Sequence, residues 1–220
     1  LDKTWLRALH SCQVGAGFIR NADGQVTTRR ARVQVIIFNS VSGSPLTANR
    51  RSHDKLMVID GFVMLSARDN FLYHEMMSHP ALYSHPDPRR VVIIGGGDCG
   101  TLREVMKHPG VTRGLQVEID ERVTRLSEEF FPELCVSNAD PRAEFFFGDG
   151  IRWMKEAEAG SVDLIIVDST DPIGPAEGLF TEAFYRDCHR ALGEHGVDVV
   201  LEHGLDGLEI QRETPVALEV

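Results

Sequence analysis

Five acidic side chains stand where runs of apolar residues end. Asp98 follows residues 91–94 and three glycines, Glu118 closes the run at 114–117, Asp149 follows 143–147, and Asp168 and Asp171 follow 162–167. In an open α/β sheet, ligands bind outside the carboxyl ends of the strands, so these acids would face one crevice. Asp98 lies in the glycine turn Gly95-Gly96-Gly97-Asp98-Cys99-Gly100. Such turns usually offer backbone N–H groups to a phosphate. A carboxylate there repels phosphate or carboxylate and attracts an amine. Glu118 lies 20 residues past Asp98, where an acid accepts from ribose hydroxyls. Asp149 could accept from an adenine amino group, or be a turn residue or a helix cap. Asp168 and Asp171, split by Ser169-Thr170 and followed by Pro172, could be a charged turn. Singly, each has a structural explanation. Together, converging acids repel one another unless a cation arrives. A primary amine resembles lysine, with a pKa of about 10.4, and is protonated at neutral pH. A carboxylate such as Asp168 can orient that ammonium and take its proton.

Composition bounds the partners. The 220 residues suffice for one sizeable α/β domain with an appendage. Residues 1–52 hold 8 Lys and Arg against 2 Asp and Glu, and the remainder 15 against 31, for a net charge of -10. The acidic part is either simply a solvated surface or a bias toward a cationic substrate and away from nucleic acid. Cys12, Cys99, Cys135 and Cys188 show no paired spacing, and read as reduced thiols in a cytoplasmic protein with neither metal site nor disulfide framework. No apolar run approaches a membrane span, and no signal peptide is visible. The chain opens on Leu1 rather than Met, which reads as a fragment.

The elements that must position these acids follow from pattern. Trp5, Leu6 and Leu9 could share a helix face, Asn21-Ala22-Asp23-Gly24 is a turn, and residues 33–38 read as a strand. Arg29, Arg30, Arg32, Arg50 and Arg51 read as solvated surface. Residues 55–64 form a hairpin about Asp60-Gly61, and a helix is predicted over 70–81. From residue 91 strands alternate with helices. Strands are expected at 91–94, 114–119, 143–147, 162–167 and 197–201. Helices are expected from the capping-box pattern at Thr101-Leu102-Arg103-Glu104, then at 121–134, 152–158 and 181–192. This alternation predicts parallel strands with right-handed crossovers. The expected fold is α/β, a doubly wound, mostly parallel Rossmann-like sheet of the methyltransferase type with a small N-terminal β region. Residues 1–80 are expected to form an irregular N-terminal region with a β-hairpin. Residues 81–220 are expected to form the Rossmann-like catalytic domain, truncated at its C-terminus.

Four segments carry a specific resemblance: VVIIGGGDCGTLR at 91–103, QVEID at 116–120, FGDG at 147–150 and VDSTDPIGPAEGLF at 167–180. Asp60-Gly61 and RDNFLYHE at 68–75 extend it. With these segments the chain resembles the polyamine aminopropyltransferase, or spermidine synthase, family from about residue 56 to 197. The resemblance implies transfer of the aminopropyl group of decarboxylated S-adenosylmethionine to putrescine, giving spermidine and 5′-methylthioadenosine. The donor is then a co-substrate, with no separate cofactor and no metal. Asp168 matches the catalytic acid-base position, and Tyr73 and Asp171 match the diamine-holding positions. His74 and Asp98 match positions around the aminopropyl amine. Glu118 matches the ribose contact, Asp149 and Gly150 the adenine contact, Pro175 another nucleoside-pocket position, and Gln34 a nucleoside-contacting glutamine of the N-terminal strands. Cys99 stands where many members have glycine, Met64 where many have glutamine, and Asn70 where many have glutamate. Gln211-Arg212-Glu213-Thr214-Pro215 resembles a family segment but comes late. The implied partners are small molecules, with neither nucleic acid nor membrane, and a homodimer assembled through the N-terminal β region.

Two other readings stand beside this one. One is a methyltransferase using intact S-adenosylmethionine, against which Asp98 and the second acid of the Asp168/Asp171 pair argue. The other is a truncated, non-catalytic nucleoside-binding homologue.

Overall fold

A computed structural model of the chain describes residues 9–10, 16–20, 26–30, 33–39, 53–170, 174–200 and 209–211. The N-terminal part is all β: β1 (Leu9–His10), β2 (Ala16–Arg20), β3 (Val26–Arg30), β4 (Val33–Asn39), β5 (His53–Ile59) and β6 (Phe62–Ser66). Strands β1, β4, β5 and β6 form an antiparallel sheet in that order, and β2 pairs with β3 in a separate ribbon. The β5–β6 turn is the expected Asp60-Gly61, with φ of 50° and 95°, the positive values that two-residue hairpin turns require. Leu9 lies on a strand opposite Ile36 rather than on a helix, because edge pairing satisfies its backbone where so short a helix would be marginal. Trp5, Leu6, the predicted turn at 21–24 and Arg32, Arg50 and Arg51 lie outside the described residues, as do Cys12 and residues 212–215.

Helix and strand then alternate: α1 (Asn70–Ser84), β7 (Arg90–Gly95), α2 (Gly100–Met106), β8 (Arg113–Glu118), α3 (Glu121–Phe130), β9 (Ala143–Phe147), α4 (Gly150–Glu156), β10 (Val162–Asp168), a 3₁₀ helix (Gly174–Phe180), α5 (Glu182–Ala191), β11 (Leu192–Val200) and β12 (Glu209–Gln211). The sheet order is β12-β11-β10-β7-β8-β9. All pairs are parallel except β11–β12. The chain winds outward from β7 through β8 to β9, then returns to the other side of β7 as β10. The switch point, where such sheets take ligands, therefore lies between β7 and β10. There Gly95 and Asp168 are register partners at the carboxyl ends.

Period-two alternation sends the sheet's side chains to two cores. Val91, Ile93, Leu164 and Ile166 pack with Met77, Ala81 and Leu82 of α1 and with Leu102, Val105 and Met106 of α2. Val92, Ile94, Ile165 and Val167 pack on the opposite face with Met154 of α4 and with Phe184, Cys188 and Ala191 of α5. A third core joins the N-terminal sheet (Val35, Met57, Leu65) to Val123 and Leu126 of α3, with Phe131 and Leu134 beyond it.

Element ends differ from expectation for local reasons. Helix α1 runs past Ala81 to Ser84 despite Pro80, because burial of Ala81 and Leu82 outweighs one lost helical hydrogen bond. Helix α3 stops at Phe130 rather than 134: Phe131 leaves helical geometry before Pro132 and turns into the third core. Helices α4 and α5 are framed by side-chain caps, Asp149 and Thr181.

Candidate active site

The glycine turn after β7 lies directly on the end of β10. The Gly96 N–H donates to the Asp168 carbonyl at 2.8 Å, and a Cβ on Gly95 would stand 2.0 Å from that same oxygen. Only glycine allows this approach, and Gly95 and Gly96 have φ of 88° and 65°. Cys99 then takes φ 70° as the residue before α2, a conformation side chains seldom adopt.

Around this turn Asp168 and Asp98 take separate sets of partners. Tyr73 Oη donates to Asp168 Oδ1 at 2.6 Å, and Thr101 Oγ1 donates to Asp168 Oδ2 at 2.6 Å. Asp98 Oδ1 accepts from the Gly100 N–H at 2.8 Å, and Asp98 Oδ2 lies 3.1 Å from His74 Nε2. Tyr73 and His74 both come from the first half of α1. His74 fits because Gly100 has no side chain: a Cβ there would stand 2.2 Å from the imidazole. Neither carboxylate forms an ion pair with a lysine or arginine among the described residues.

Charge follows from these contacts. Burial pushes the Asp168 pKa up and the neighbouring Asp98 charge pushes it further, against His74, Thr101 and Tyr73, so it lies above the usual carboxylate range. Burial opposes ionisation of both His74 and Asp98. Their mutual attraction outweighs it, holding the His74 pKa up and the Asp98 pKa down. The Tyr73 phenol is raised by burial and by the adjacent Asp168. His74 Nδ1 is buried without a hydrogen-bond partner among the described residues.

Glu118 ends β8, one strand over. Its Oε1 accepts from the Asp120 N–H at 2.8 Å, while a Cβ on Gly97 would stand 2.6 Å from Oε2, so Glu118 faces the same turn. Burial raises its pKa to about 7, with the Asp120 and Asp168 charges adding to the rise. Asp149, at the end of β9, caps α4: Oδ1 accepts from the Ile151 and Arg152 N–H groups. Gly150 is the first residue of α4, and a Cβ there would meet Ile94 Cγ2 at 2.7 Å, so its small size lets α4 close on β7.

The structure thus brings Tyr73, His74, Asp98, Glu118 and Asp168 around one turn. Asp149 and Gly150 stand at the next strand's end. Pro175 lies in the 3₁₀ helix. Gln34 lies on β4 opposite Val58. Asp171 lies outside the described residues. Among the described residues no cluster of three or more His, Cys, Asp or Glu is placed to hold a metal ion, and no helix is long and apolar enough to cross a membrane.

One expected feature is overturned. The capping box at Thr101–Glu104 does not form. Cys99 precedes the helix with no side-chain cap, and α2 begins at Gly100. Thr101 is fully buried and turns its hydroxyl to Asp168. Glu104, also fully buried, bonds Arg103 and lies 3.2 Å from His79. A strong carboxylate acceptor displaced the local backbone contact. The only sequence sign of this was a hydroxyl three residues after Asp98. The pattern also gave no sign that Cys99 and Cys135 meet. The neighbouring Cys135 thiol, together with burial, pushes the Cys99 pKa up, while Cys99 Sγ donates to the Gly97 carbonyl at 3.7 Å and Cys135 Sγ to the Asp98 carbonyl at 3.9 Å.

Residues 70–208 match the sequence model of the spermine/spermidine synthase domain. The chain is 71% identical over 143 residues to a polyamine aminopropyltransferase of Nitrosococcus oceani, covering 65% of this chain and 50% of that protein. It is 62% identical over 164 residues to one from Xanthomonas axonopodis pv. citri, covering 74% and 54%. The chain spans about half the length of these curated relatives. A solved spermidine synthase in complex with the transition-state analogue AdoDATO superposes with a TM-score of 0.67 at 32% identity, over 89% of this chain and 67% of the other. The spermidine synthase of Thermotoga maritima gives 0.62 at 30%, over 89% and 66%.

Proposed function

This chain belongs to the spermine/spermidine synthase family, and from that premise we propose that it moves the aminopropyl group of decarboxylated S-adenosylmethionine to putrescine. The products are spermidine and 5′-methylthioadenosine. One observation carries the reading: Asp168 is held by two hydroxyls rather than by a lysine or arginine, which leaves its charge to a bound cation. Asp168 accepts a proton from the diamine ammonium and exposes the nitrogen lone pair. That nitrogen attacks the carbon beside the sulfonium, a C–N bond forms, and the C–S bond breaks with its electron pair going to sulfur. The leaving group is a neutral thioether, so the step uses neither a metal nor a covalent enzyme intermediate. Holding amine and carbon in line supplies much of the acceleration. Tyr73 and Asp171 hold the diamine, and His74 and Asp98 surround the aminopropyl amine. Glu118, Asp149, Gly150, Pro175 and Gln34 line the nucleoside, and the donor takes the place of any cofactor. The site's place at the β7–β10 switch point supports the assignments of Tyr73, His74, Asp98, Glu118 and Asp168.

The deciding experiment supplies decarboxylated donor with putrescine, cadaverine, agmatine or spermidine and measures 5′-methylthioadenosine. Release with putrescine is the expected result and excludes a non-catalytic nucleoside-binding protein. No release with any amine overturns the proposal. Calorimetry separates the methyltransferase alternative, which requires tighter binding of the intact donor. Light scattering tests for the homodimer that the family resemblance implies.

Asp98 also discriminates between donors. Intact S-adenosylmethionine would bring its own carboxylate toward this acid, a repulsion that disfavours the wrong substrate. Asp98→Asn is expected to narrow the preference for decarboxylated over intact donor by roughly ten-fold, about 1.4 kcal/mol. Calorimetry with both donors reads this, and an unchanged ratio removes Asp98 from the discrimination.

Nucleoside binding is expected to depend on Glu118 ionisation. Ribose hydroxyls donate best to the carboxylate, and the Glu118 pKa is raised to about 7. The ionised fraction therefore grows roughly ten-fold from pH 6 to pH 8. Binding of 5′-methylthioadenosine should tighten by about that factor over this range. Glu118→Gln should bind weakly with a flat pH profile. A wild-type affinity that does not change with pH contradicts the assignment.

A further inference from the structure

Aspartate χ2 is a broad torsion with no strong preference of its own, so the plane of the Asp168 carboxylate must be set by its neighbours. Two hydroxyls do this from two different helices: Tyr73 of α1 on Oδ1 and Thr101 of α2 on Oδ2, both at 2.6 Å. Thr101 is unusual among them. A threonine in a helix commonly turns its hydroxyl back to a carbonyl of the preceding turn. This one is fully buried and instead bonds a residue 67 positions away. The two helices are closed on each other at the same place, since Gly100 lies against the His74 ring and Ser78 Oγ donates to the Thr101 carbonyl at 3.5 Å. The Thr101 backbone is thereby fixed, and its hydroxyl presents one donor to Asp168.

We propose that Thr101 is a positioning residue for the base: its hydroxyl, opposite Tyr73, locks the Asp168 carboxylate plane and favours the charged, proton-accepting form. This rests on the assignment of Asp168 as the base. The groups facing Asp168 are Tyr73 and His74 from α1, Asp98 from the glycine turn, Thr101 from α2 and, acting from the end of β8, Glu118. Asp98 and Glu118 both disfavour its charge, as does burial. Thr101 and Tyr73 are the hydrogen-bond donors that oppose them. A charge-assisted bond of this length counts for more than a neutral one, and its loss returns the carboxylate toward its protonated form.

The test compares Thr101→Val, which keeps the buried shape and removes the hydroxyl, with Thr101→Ser, which keeps the hydroxyl and removes the methyl. In protein carrying ¹³C-carboxyl aspartate, with the Asp168 signal assigned by its loss in Asp168→Asn, Thr101→Val should move the Asp168 titration upward by roughly one pH unit. Thr101→Ser should leave it near wild type. In the aminopropyl-transfer assay, Thr101→Val should lower kcat roughly ten-fold with the acid limb of the pH profile moved up by the same amount. Binding of 5′-methylthioadenosine should be unchanged, and Thr101→Ser should restore kcat. A Thr101→Val titration that coincides with wild type overturns the proposal, as does a Thr101→Ser protein impaired as much as Thr101→Val. If wild type transfers no aminopropyl group, the functional reading fails, while the titration still decides whether Thr101 governs Asp168.

Discussion

Asp168→Asn is expected to lower aminopropyl transfer by roughly 10³-fold, the scale of losing a positioned general base, while 5′-methylthioadenosine binds as to wild type. The amide has almost the shape of the carboxylate but cannot take a proton from an ammonium. The fold should tolerate it, because both side-chain hydrogen-bond partners of the Asp168 carboxylate are hydroxyls. A hydroxyl can accept as well as donate, so Tyr73 or Thr101 can rotate to meet the new amide donor. Nucleoside binding should survive, because Glu118 ends β8 and Asp149 caps α4, away from the strand that carries Asp168. Single-turnover product formation and calorimetry check the two halves separately. Wild-type turnover in this variant would remove Asp168 from the mechanism, whereas loss of both turnover and nucleoside binding would point to general damage.

The second large effect is on stability. Gly95→Ala places a methyl group 2.0 Å from the Asp168 carbonyl oxygen at a φ of 88°. Neither side can yield: Gly95 and Asp168 are paired in adjacent parallel strands, and the same oxygen holds the Gly96 N–H. Overpacking and a left-handed backbone each cost about 1–3 kcal/mol. Their sum, about 4 kcal/mol at mid-range, should lower Tm by about 8–16 °C for a chain of this length. Activity should fall further than stability requires, because any relief of the clash displaces the main chain that carries Asp168. Gly61→Ala separates the two causes. It has φ 95° but nothing among the described residues within 4 Å of its Cβ position, so it should show the backbone term alone, about 1–2 kcal/mol. Equal Tm losses in the two variants would mean that close packing at Gly95 contributes nothing.

Much of the site was legible because its acids follow a rule of sheet topology. Asp98, Glu118, Asp149 and Asp168 each follow a readable apolar run, and parallel strands carry their ends to one edge. The Asp60-Gly61 hairpin and the strand at 143–147 were equally plain, since both are set by neighbours in sequence. The N-terminal strands β1 to β3 were not, because strand pairing depends on partners elsewhere in the chain. Thr101 was misread for a related reason. A capping box and a buried donor to a distant carboxylate need the same residue types, and local sequence does not distinguish them.

By itself the sequence determined the alternation of strands and helices, and with it which edge of the sheet collects the acids. Periodicity and turn chemistry are local properties, and they need no knowledge of the rest of the chain. Only the tertiary structure decided which acid is paired with His74, which is held by two hydroxyls, and that Gly95 and Gly100 are small for the sake of Asp168 and His74. Those facts depend on side chains from α1, α2 and β10 meeting at a few ångströms, where desolvation and directional hydrogen bonds replace pattern as the deciding physics.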